Sequence, residues 1–101
     1  MIKEIYILST KLPSEEKFNI GQQLRRAAVS VKLNFAEGSS RESLVERKRY
    51  YVVSRGSLVE IDSILEIITD LNYIKSDELV KADELMIRCF SMLSKFIEKT
   101  K

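Results

Sequence analysis

Arg47-Lys48-Arg49 runs directly into Tyr50-Tyr51, with Arg41 and Arg55 on either side. Cations beside aromatic rings are the side chains that grip RNA: the charges meet phosphates and the rings stack on bases. Three consecutive helical residues fan over about 200°, so the run cannot face one ligand as a whole. Arg41, Lys48 and Arg55 recur every seven residues and could form one stripe if a single helix held all three. Two readings stay open, a solvated helix face and a nucleic-acid or partner surface. On the second, Arg25, Arg41, Arg47, Lys48 and Arg49 are the candidates for phosphate contact.

Little else in the chain could do chemistry. It has no histidine. That removes the commonest general base and metal ligand, and every Ser-His or Cys-His nucleophile pair. Asp62, Glu66 and Asp70 lie one helical turn apart, but di-iron bundles need Glu-x-x-His pairs, so these carboxylates read as a solvated acidic face. There is no Gly-rich phosphate loop. Cys89 is the single cysteine, which excludes an internal disulfide, and its place on an apolar stripe reads as buried core. The expectation is a protein that is not an enzyme, with no cofactor and no metal.

The elements that position these residues follow from composition and spacing. The 101 residues make one domain, 1–101, at 45% hydrophobic and 32% charged. Three Gly and one Pro are too few for many strands and turns, so a few long helices are expected. No apolar run reaches the roughly 20 residues that cross a bilayer, and the N-terminus shows no apolar stretch followed by a small-residue cleavage site. A cytoplasmic protein is expected. The net charge of +2 is uneven: residues 1–55 hold 11 Lys and Arg against 6 Glu, and residues 56–101 hold 6 against 9 Asp and Glu.

Apolar spacing predicts an all-α, antiparallel up-down four-helix bundle with helices at about 2–11, 15–37, 44–72 and 77–99. Ile2, Ile5, Leu8 and Leu12 stripe a short first helix that Pro13 ends. Ser14 is expected to cap the second helix and Gly38 to stop it. Ser43 and Glu46 form a capping box for the third helix, and Ser76 caps the fourth. The third helix has an apolar face too broad for one neighbour. The first is too short to cover the groove beside it, so self-association is expected.

Two segments interrupt this pattern with polar and small residues, Gln23–Gly38 and Ser54–Glu60. Gly56 in mid-helix costs about 1 kcal/mol relative to Ala, which a close approach to Ala27, Ala28 or Ser30 would offset. Arg26, Ser30, Asn34 and Glu37 share one face of the second helix. If that face meets the third helix, Arg26 and Arg55 could pair with Glu37 and Glu60 around Asn34. The expected outcome is a polar network of Arg26, Asn34, Glu37, Arg55, Gly56 and Glu60 that fixes register, with a polar pocket or subunit contact as the other reading.

The stretch Leu24-Arg25-Arg26-Ala27-Ala28-Val29-Ser30-Val31, then Asn34, Ala36-Glu37-Gly38, Ser43-x-x-Glu46 and Arg55-Gly56-Ser57-Leu58-x-Glu60 resembles the four-helix-bundle proteins encoded in 23S ribosomal RNA intervening sequences. The resemblance covers about residues 5–97. It implies a ring-shaped homopentamer of antiparallel bundles with no established enzymatic activity, associated with ribosomal RNA by gene position. Relatives commonly carry a full-length first helix, of which this chain holds the end, and a proline where it has Lys32. Proteins of the same fold serve a reverse transcriptase, so the implied roles are RNA or other nucleic-acid binding, or a protein-interaction adaptor for a nucleic-acid enzyme.

Overall fold

The computed structural model describes Met1–Thr100. Four helices are present, α1 (Ile2–Ser9), α2 (Ile20–Ser40), α3 (Leu44–Asp70) and α4 (Val80–Lys99), with no strand among the described residues. The shape is a rod of 43 × 24 × 19 Å. Its long axis is set by α3, whose 27 residues rise about 40 Å.

Apolar stripes of all four helices form the core. Ile5 and Leu8 of α1, Leu24, Ala27, Ala28 and Val31 of α2, Leu58, Ile61, Leu65 and Ile68 of α3, and Ala82, Met86 and Leu93 of α4 are buried together. Leu12, Ile74 and Leu79 close the end where the connections run. Contacts fall in opposite chain order along neighbouring helices, as antiparallel packing requires. Ser30 meets Ser57 and Val31 meets Ser54, while Phe35 stacks on Tyr51. Between α3 and α4, Arg55 meets Ser94 and Tyr51 meets Phe96.

Helix ends depart from the expected ones. Ser14–Glu16 and Ser76–Leu79 are short 3-10 turns, and neither Ser14 nor Ser76 makes a side-chain cap. The tight turns follow Pro13 and Lys75, both extended, so each helix starts later than its acidic residues suggest. Ser43 does cap α3, its Oγ accepting from the Glu46 N–H at 3.4 Å. At the other end Asn72 takes a left-handed φ of 59°, and the Tyr73 N–H reaches back to the Ile68 carbonyl at 3.0 Å. That left-handed cap lets the chain reverse within a few residues.

Gly38 is not a stop signal. It lies inside α2, buried, and a Cβ built on it would sit 2.9 Å from Tyr51 Cε1 and 3.0 Å from Tyr50 Cβ. This is where α2 and α3 come closest to needing glycine. Cys89 is half-buried rather than fully buried, packed against the core beside Leu93 and Val31. Met1, Ile2, Val31, Phe35, Met92 and Leu93 line an open trough of about 450 Å³.

Candidate nucleic-acid interface

The turn from α2 into α3 brings two of the basic candidates, Arg41 and Arg49, over one ring. The Arg41 guanidinium lies 5.2 Å from the centre of Tyr50, and Arg49 lies 5.6 Å from the same ring. Arg41 also donates to the Tyr50 hydroxyl at 3.2 Å and to Glu37 Oε1 at 2.9 Å. Arg47 Nε donates to the Arg41 carbonyl, which ties the first turn of α3 to the end of α2. The fields of Tyr50 and then Glu37 hold Arg41 above its ordinary pKa, so it is cationic at every usable pH.

Glu37 answers the charge of Arg41. Arg47, Lys48 and Arg49 have no carboxylate within ion-pair distance among the described residues. They are the cations this end of the rod can offer to phosphates, with the edges of a stacked Arg–Tyr–Arg group beside them. Glu42 and Glu46 are exposed on the same turn, so the patch is only weakly positive. The hub of the cluster, Tyr50, is absent from the candidates drawn by charge alone. Its signal is the Arg-Lys-Arg-Tyr-Tyr run, in which Tyr51 turns inward and is buried while Tyr50 stays at the surface.

Arg25 does not join this cluster. It sits near the start of α2 and donates to the Lys17 carbonyl at 3.0 Å, more than 20 Å along the helix from the turn by the usual rise of about 1.5 Å per residue. The expected stripe of Arg41, Lys48 and Arg55 is also not formed. Arg41 lies outside α3, and Arg55 faces α4, where it donates to Ser94 Oγ at 3.1 Å and lies over the Phe90 ring at 5.5 Å.

The expected polar network takes a different form. Arg26 and Glu60 are exposed and neither makes an ion pair; Glu37 pairs with Arg41, four residues on in its own segment. Gly56 is exposed, and a Cβ there would meet nothing within 4 Å. The close seam is built of hydroxyls and one amide instead. Ser54 Oγ donates to the Val31 carbonyl at 2.6 Å, Ser30 and Ser57 Oγ lie 2.8 Å apart, and Asn34 Nδ2 donates to Ser30 at 2.9 Å. Hydroxyls suit this place because each can donate to a helix carbonyl and so needs no desolvated charge. Arg26, Gly56 and Glu60 share their motifs with the seam residues but lie on faces turned away from it.

The α3–α4 side is less closed. Leu58, Val59, Met86, Ile87 and Phe90 line a groove of about 400 Å³, with Asp62 and Asp83 at one end. Burial, then the nearby Asp62 charge, raises the Asp83 carboxyl above the usual aspartate value. These acidic residues form no set of metal ligands among the described residues. No described helix is long and apolar enough to cross a membrane.

Among known protein families, the model described as 23S rRNA-intervening sequence protein matches residues 1–95. The search of curated proteins found no match.

Proposed function

The chain belongs to the 23S rRNA-intervening sequence protein family, and on that premise we propose that it is a non-enzymatic, self-associating up-down helical bundle that binds RNA in the cytoplasm. The observation that carries the RNA reading is the α2–α3 turn, where Arg41 and Arg49 both lie over Tyr50 beside Arg47 and Lys48. Guanidinium–aromatic stacks recognise unpaired bases by their faces and phosphates by their charge, without requiring a strongly basic protein. The absence of histidine from the sequence supports the non-enzymatic part. The support for self-association is the apolar surface α3 and α4 leave bare: Val45, Val59 and Ile87 are 80%, 54% and 69% exposed. A homopentamer is the assembly this reading favours.

The test is fluorescence anisotropy of a labelled single-stranded RNA with the chain and with an Arg47→Ala, Lys48→Ala, Arg49→Ala variant. Affinity for the wild-type chain is expected to fall steeply between about 50 and 200 mM salt. The variant is expected to flatten that slope by about 1 for each phosphate it no longer neutralises. Binding that is absent, or flat with salt, overturns the RNA reading. It leaves the second one, an adaptor for a nucleic-acid enzyme such as a reverse transcriptase, which the same bare apolar surface favours.

A further inference from the structure

Lys3 of α1 and Lys32 of α2 are the two charged residues that line the trough of about 450 Å³, and no Asp or Glu lines it. Neither lysine makes an ion pair among the described residues. Between them the walls are apolar, with Val31 and Phe35 from α2 and Met92 and Leu93 from α4. Ser54 and Cys89 also line it but offer little to a polar ligand. Ser54 already gives its hydroxyl proton to the Val31 carbonyl at 2.6 Å, and a thiol is a weak donor. Phe35 is braced by the rings of Tyr51 and Phe96 at 5.4 and 5.3 Å, so this wall stands before any ligand arrives.

Those features set the chemistry of an occupant. Walls with few free hydrogen-bonding groups favour an alkyl chain and penalise a sugar or a base, whose polar edges would lose water for nothing. Lysine lays its methylenes along apolar surface and keeps its ammonium in water, so Lys3 and Lys32 offer positive charge at the mouth of an apolar recess. The α3–α4 groove is of similar size, about 400 Å³, and carries Asp62 and Asp83 instead. An anion with an apolar tail therefore suits the first recess and is repelled by the second.

We propose that the trough binds a free medium-chain fatty acid, its chain along Val31, Phe35, Met92 and Leu93 and its carboxylate at Lys3 and Lys32. The site shares no residue with the basic cluster at the α2–α3 turn, so it stands or falls apart from RNA binding.

Cys89 is the single cysteine and lines the trough, so its labelling by a chromogenic disulfide reagent reads occupancy in the whole chain. Octanoate, decanoate and dodecanoate, each below its micelle concentration, are expected to slow labelling saturably. The half-maximal concentration should fall about two- to fourfold for each added methylene. Decanol should bind about fivefold more weakly than decanoate at low salt, and the gap should close with added salt or in Lys3→Ala with Lys32→Ala. Met92 is 47% exposed, so Met92→Glu tolerates the charge in the fold, as thermal melts would confirm, and is expected to abolish protection by decanoate. Labelling that is unslowed, or that is speeded by a detergent-like action, overturns the site. So does protection that ignores chain length or persists in the folded Met92→Glu variant. Equal protection by decanol or by decyltrimethylammonium in the unaltered chain overturns the assignment of a carboxylate.

Discussion

Gly38 and Gly56 sit in neighbouring helices, and their surroundings are opposite. Gly38 is buried under Tyr50 and Tyr51, with no space for a methyl group. Gly56 faces open solvent with nothing near it. Glycine inside a helix costs about 1 kcal/mol relative to Ala at either place. At Gly38 the cost is offset within the chain, because α2 and α3 could not otherwise bring Tyr51 against Phe35. At Gly56 nothing in a single chain offsets it. The comparison separates what the bundle needs in order to fold from what its outer faces hold for something else.

The largest test of that contrast is on the closed side. Ser54 is fully buried, and its hydroxyl is bonded to Val31. Ser54→Leu adds bulk where α2 and α3 touch and removes the bond, and a loss of about 3 kcal/mol is expected in urea unfolding. Next is Gly38→Ala. Its methyl meets the rigid ring of Tyr51 rather than a flexible chain end, so overpacking exceeds the propensity gain and about 1–2 kcal/mol is lost. Gly56→Ala, the same change on the open side, has the opposite sign: about 1 kcal/mol gained, or a rise in melting temperature of roughly 4–8 °C. No rise in dilute protein would mean that Gly56 is contacted after all, and the contrast would fail.

The smallest effect belongs to Asp83. Its raised pKa means the folded chain holds the proton more tightly than the unfolded one. Stability from this group is present at pH below the ordinary aspartate value and is lost as pH rises through the raised one. Asp83→Asn is therefore expected to raise the melting temperature slightly in dilute protein at neutral pH. The difference should vanish as melts are repeated down into the carboxylate range.

Much of the fold was legible because apolar spacing is a direct record of burial. Ile5, Leu8, Leu24, Leu58, Ile61, Leu93 and their neighbours lie where three-and-four spacing puts them. Pro13 marks the first break for the steric reason that proline disfavours helix before it. What was not legible was orientation. Periodicity shows that Arg26 and Asn34 lie near one another on α2, but a rotation of a few tens of degrees decides which of them faces α3. Asn34 reaches α3 only through its bond to Ser30, whose hydroxyl meets Ser57, and Arg26 does not reach it. The two glycines exchanged roles for the same reason: Gly38, near a helix end, reads as a cap, and Gly56, in mid-helix, reads as a contact. The basic cluster was half legible. Its residues were evident from the Arg-Lys-Arg-Tyr-Tyr run, but its centre at Tyr50 depends on how Arg41 folds back across the turn.

The shortness of α1 has a consequence for how the molecule comes apart. Eight residues without a side-chain cap are too few to be helical in water alone, so α1 exists by leaning on α2 and α4. Single ion pairs tie it and the turn after it to the rest of the molecule, Glu4 with Lys81 and Lys11 with Glu78. Such a segment is a separate cooperative unit with a lower opening free energy than the α2–α3 pair. The α1 amides are therefore expected to exchange with solvent ahead of those of the α2–α3 pair, which native-state hydrogen exchange would report.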